Sequence, residues 1–199
     1  MASKDIQLMA HLMRRAGFGA PYEELEERAA KGYEATVEEL LRAEEKPDWE
    51  EDIARRHLIG GHLGNAMPEI QGYWMQRMIS TTRPLREKMT LFWHTILCSG
   101  DKIDHPETMD AHIDMVRENA LGRYPDLLTA LSRDPGMIIY LDNRYSHKDS
   151  INENYGRELL ELFSMGVGNY TEEDIKMAAR AFTGWTLAPA MDSDRKSVV

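Results

Sequence analysis

The sequence predicts an all-α protein: a compact multi-helix array, not a solenoid, with no substantial sheet. Three observations carry that expectation. Apolar residues recur at helical spacing through most of the chain, and two-residue alternation is nowhere sustained. Several prolines and glycines fall where helices would start or stop. No fixed-period repeat runs along the chain, which argues against stacked repeats.

Taken in order, Leu8, Leu12 and Arg15 share one helical side, and Gly17 fits the usual post-helix role. Pro21 suits the first residue of a second helix that ends near Gly32. Val37, Leu40 and Leu41 mark a third. Residues 53–67, with Gly60, Gly61 and Gly64, predict a mobile loop after a short helix.

Core-forming helices are expected across 68–187. Ile70, Tyr73, Trp74, Arg77 and Met78 outline the first. Pro84 lies near the start of the next, on which Leu85, Met89, Phe92, Trp93, Ile96 and Leu97 form a stripe. Leu91 and Cys98 lie off that stripe, so this helix is predicted to be central and buried. Pro106 opens a long helix to Leu121 with Met109, Ile113, Val116 and Ala120 at core spacing. Short helices at 124–133 and 135–141 precede a polar loop at 142–150. A helix from about Asn152 would turn Tyr155, Leu159, Leu162 and Phe163 to the core. Gly166 then suits a left-handed terminator, Gly168 and Asn169 a tight turn, and Thr171 with Asp174 a capping box for the last helix.

The 199 residues suit a single helical domain or the N-terminal half of a larger one. A chain of this length buries roughly 70% of its unfolded surface, so it needs no disulfide staple. Its single Cys98 excludes a disulfide framework or a zinc finger. Residues 23–52 form an acidic helical subregion with 13 acidic and 4 basic residues, a balance of −9 against −10 for the whole chain. Such a stretch repels phosphate backbones, which argues against nucleic acid as a partner there. It reads as a solvated pair of helices, or as a docking surface for a basic partner protein. The N-terminus has no apolar signal region, and no run approaches the roughly 20 apolar residues of a membrane helix. A cytoplasmic protein without a membrane span is therefore expected. The 13 methionines fit flexible core filler.

Candidate chemistry concentrates in the helix after Asn152. At 100° per residue, Asn154, Arg157, Glu158 and Glu161 share the face opposite the core. Two carboxylates three residues apart could bind a divalent metal, or act as an acid–base pair where burial separates them. The plain alternative is a solvated face on which Arg157 and Glu161 pair at i, i+4. His94 lies on the back face of its helix with Leu91 and Cys98. There it is either a metal ligand or a hydrogen-bonded core histidine. His105 and His112, among Asp101, Asp104, Asp110 and Asp114, form a weaker group. The loop trio Asp142, Asn143 and His147 is the last candidate, since loops often carry function. The chain contains no HExxH, GxSxG, GxGxxG, CxxC or P-loop pattern.

Five blocks in order, HLMRRAGFG at 11–19, LFWH at 91–94, RENALG at 117–122, DPGMIIYLDN at 134–143 and residues 152–185, resemble the bacterial "domain of unknown function 1800" family. The resemblance implies a mainly helical bacterial protein. Its relatives are often exported and often encoded beside a second uncharacterised family related to sulfatases. It carries over no reaction, cofactor or catalytic residue. Relatives usually continue well past the Thr-Gly-Trp matched by Thr183, Gly184 and Trp185. Residues 191–199 do not resemble that continuation, and the export signal is lacking, so a truncated domain without independent function is one expectation.

The leading expectation is a helical scaffold or binding module that acts with a partner protein. The rival is a metal-dependent hydrolase-type enzyme. Glu158, Glu161, His94 and His147 would then form its metal site, with Glu158 and Glu161 as ligands or acid–base groups and Arg157 steadying an anionic substrate.

Overall fold

The structure, a computed structural model, describes residues 4–47, 66–100, 103 and 106–187. Among these it contains ten α-helices, two one-turn 3-10 segments and no strand; an isolated bridge joins His147 and Ser150. The all-α expectation holds. Most of the predicted loop at 53–67 lies outside the described residues, as do residues 48–52 of the acidic subregion and Asp101, Asp104 and His105. No helix among the described residues is long and apolar enough to cross a membrane. The chain divides into two compact units, residues 1–92 and 93–199, and the division falls within a helix.

In the first unit, α1 (Lys4–Ala16), α2 (Tyr22–Lys31) and α3 (Tyr33–Leu41) bury Met9, Leu12, Met13, Leu25 and Leu40 in one cluster. The inward side of α1 is the i, i+3, i+4 ladder of Met9, Leu12 and Met13, so Leu8 and Arg15 face out. On α3, Thr36 rather than Leu41 lies inside with Leu40; its hydroxyl donates to the Gly32 carbonyl at 2.9 Å and needs no partner from another helix. The left-handed residue after α1 is Gly19, with φ of 98°. Gly17 serves packing instead: a Cβ there would lie 3.0 Å from the Pro84 Cβ.

Helix α4 (Ala66–Ser80) turns Ile70, Tyr73, Trp74 and Arg77 inward, as its spacing predicts. Helix α5 (Pro84–Ile96) departs from expectation. Its buried residues are Glu87 and Thr90, with Leu97 just beyond, whereas Phe92 is 48% exposed and Ile96 also faces out. The cause is a buried ion pair. Glu87 accepts from Arg77 Nε at 3.0 Å and from Trp74 Nε1 at 3.3 Å, while the Thr90 hydroxyl donates to the Arg86 carbonyl at 2.8 Å. Once satisfied this way, polar groups can take the inner face that an apolar count assigns to Phe92.

The second unit holds the end of α5 followed by α6 (Pro106–Asn119), α7 (Tyr124–Arg133), α8 (Pro135–Tyr140), α9 (Asn154–Glu161) and α10 (Glu172–Ala181). Its core cluster joins Leu97, Leu127, Leu131, Met137, Tyr155 and Phe163. Ile113, Val116 and Ala120 are buried as predicted. Trp93 packs on this cluster and donates from Nε1 to the Ala120 carbonyl at 3.1 Å.

Candidate functional site

The predicted polar face sits on α9, and both ends of its surroundings are fixed by local hydrogen bonds. Asn152 Oδ1 accepts from the Asn154 amide at 2.9 Å, while Asn152 Nδ2 donates to the Asp142 carbonyl at 3.1 Å. After α9, Gly166 and Gly168 adopt left-handed φ values of 80° and 88°. The capping box forms in full: Asp174 Oδ2 accepts from the Thr171 amide at 2.8 Å, and Thr171 Oγ1 accepts from the Asp174 amide at 3.2 Å.

Gly156 seats α9 against α10. A Cβ at this position would come within 2.8 Å of the Ala179 backbone nitrogen, so the two backbones touch. Sequence reasoning overlooks this glycine because a mid-helix glycine is only a cost in propensity. Its place beside Tyr155 on the inward side, opposite a run of small residues in α10, is the signal that could have found it.

This close crossing brings Arg157 to the first turn of α10. Its guanidinium donates to both Glu172 oxygens, at 3.1 and 2.9 Å, and lies 3.6 Å from Glu153. Those hydrogen bonds hold Arg157 well above and Glu172 below their usual pKa ranges. The i, i+4 pairing with Glu161 is not what forms. Glu161 instead accepts from the Tyr170 hydroxyl at 2.6 Å, which pushes the phenol up to about 12. Asn154 is exposed. Glu158 is half-buried, and its carboxyl is pushed up first by burial and then by the charge of Glu161, with Arg157 opposing.

Beside these carboxylates lies an apolar rim. Leu162, expected in the core, is 61% exposed, and Met165 and Val167 (76% exposed) follow it outward. The helix widens at its end: the Phe163 amide donates to the Glu158 carbonyl and the Met165 amide to the Leu160 carbonyl, both five residues back. That widening breaks the 100° step, turning Phe163 inward and Leu162 outward.

His94 belongs to a different cluster. Its half-buried ring lies 5.6 Å from that of His112, and burial, together with the His112 charge, pushes its pKa down to about 4. His112 is fully buried, with Nδ1 2.7 Å from Asp134 Oδ2 and Nε2 3.1 Å from the Leu97 carbonyl. A carbonyl only accepts, so Nε2 carries a proton. The same Asp134 oxygen accepts from the Met137 amide at 2.8 Å and caps α8. Sequence reasoning sets His112 among other carboxylates and misses Asp134 as its partner; the signal for Asp134 is its place immediately before Pro135, an N-cap followed by proline at the first helical position. Cys98 is exposed. His147 is exposed on its loop, Asp142 is left-handed at φ 58°, and buried Asn143 faces the Phe182 carbonyl at 3.4 Å.

The sequence candidates therefore separate. Arg157, Glu158 and Glu161 share one surface, His94 stands with His112, and His147 lies on an exposed loop. Among the described residues, no three His, Cys, Asp or Glu side chains form a group that could hold a metal ion.

Residues 11–199 match the family described as "Protein of unknown function (DUF1800)". The chain belongs to the DUF1800 family. The matched span of this DUF1800 member takes in residues 191–199, the segment expected from the sequence to differ from the family's continuation. No curated protein and no solved structure matches it.

Proposed function

We propose that this DUF1800 member is a helical binding module whose α9–α10 surface docks a partner protein. The docked segment brings a cation to Glu158 and apolar side chains to Leu162, Met165 and Val167. One observation carries the reading: Glu158 is a half-buried carboxylate, disfavoured as an anion by burial and by Glu161, one helical turn from the exposed Leu162. Arg157 does not relieve it fully, because its hydrogen bonds go to Glu172. A partner's lysine or arginine would offset that charge, and apolar groups on Leu162 and Val167 would exclude water from the pair. The net charge of −10 adds long-range attraction for a basic partner.

A photo-crosslinking residue at Val167, in cells that make the protein, tests this reading. The expected result is a discrete protein adduct that disappears in Glu158→Lys and in Leu162→Ser with the helical circular dichroism unchanged. No adduct, or one that survives both changes, would contradict it.

A further inference from the structure

We infer that the first unit carries a separate ligand site: a cleft that binds a small amphipathic carboxylate, an apolar body ending in an anionic group. The inference is independent of the α9–α10 surface. The cleft has a volume of about 930 Å³ and is lined by α1, α2 and the end of α4. That volume lies within the range of small-molecule sites, roughly 300–1,000 Å³.

Charge supports an anion. Although α2 and α3 belong to the most acidic stretch of the chain, the cleft is lined by Arg14, Arg28 and Lys46 against a single carboxylate, Glu24. The internal pairings can be followed one by one. Glu24 accepts from Arg28 Nε at 2.8 Å, and Lys46 donates to Glu39, which lies outside the lining. Arg14, exposed in the last turn of α1, forms no ion pair among the described residues. The cation left for a ligand is therefore the Arg14 guanidinium, whose planar fork suits a carboxylate.

The remainder of the lining supplies the apolar contact. Ile79 is 75% exposed and Phe18 41% exposed, and both border the cleft. Lys88 stands 5.0 Å from the centre of the Phe18 ring and adds a cation nearby. Exposed apolar side chains beside a guanidinium with no ion pair among the described residues match a ligand with an alkyl or aryl body and one anionic end.

Isothermal titration of the full chain with sodium decanoate, decan-1-ol and decylamine tests the site. Saturable decanoate binding is expected, about tenfold tighter than decan-1-ol, with decylamine weakest. Arg14→Ala should remove the preference for decanoate over the alcohol, and Ile79→Ser should weaken both. Both positions are exposed, so an unchanged circular dichroism spectrum is expected and shows that the variants fold. The inference is overturned by decylamine binding as tightly as decanoate, by an absence of saturable decanoate binding, or by an Arg14→Ala chain with undiminished affinity.

Discussion

Gly156 lies against the backbone of Ala179, close enough that a Cβ at position 156 would sit 2.8 Å from the Ala179 nitrogen. The contact fixes how α9 rests on α10, and thereby the reach of Arg157 to Glu172. Gly156→Ala forces those backbones apart and is expected to cost about 1–3 kcal/mol. Gly72, on the exposed side of α4, meets nothing within 4 Å among the described residues, so Gly72→Ala should instead stabilise by about 0.5–1 kcal/mol. Urea midpoints of the two variants should move in opposite directions; a shift of the same sign would contradict the packing described for Gly156.

The Arg77–Glu87 pair makes a second prediction. Both residues are buried, at 4% and 1% exposure, so Glu87→Gln removes the carboxylate charge that faces the Arg77 guanidinium and should cost about 3–5 kcal/mol. Replacing both residues by methionine removes the guanidinium charge as well and should recover most of that loss. A double variant no more stable than Glu87→Gln in chemical denaturation would show that the pair is not the source of the effect.

How much of this was legible in the sequence depends on whether apolarity alone decided the packing. The α4 stripe of Ile70, Tyr73, Trp74 and Arg77 and the Thr171–Asp174 capping box follow from spacing, because each is set within a single helix. The inner face of α5 does not, since Glu87 becomes a core residue through Arg77 and Trp74 on another helix. Leu162 fails for a local reason, the widened last turn of α9. Clustering Arg157, Glu158 and Glu161 on one surface was readable from the wheel. Their partners Glu172 and Tyr170 come from beyond the helix and were not.

His94 gives the pH prediction. Its pKa is about 4 in the fold against about 6.5 in an unfolded chain. Between those values the unfolded chain takes up a proton that the folded chain refuses. The stability is complete above about pH 6.5, falls as the pH drops toward about 4, and loses nothing further from this group below that. His94→Gln should flatten the pH dependence of the urea midpoint across that window, relative to the unmodified chain. Identical slopes for the two proteins would remove His94 from the account.

Reciprocal charge reversal tests the docking surface most directly. With the protein captured at Val167 in hand, binding is measured for Glu158→Lys and then for Glu158→Lys against a partner whose facing cation is reversed to glutamate. The account predicts a loss of at least about tenfold in Kd for the first and recovery of most of it in the second. Unchanged affinity in the first, or no recovery in the second, would contradict a docking surface centred on Glu158.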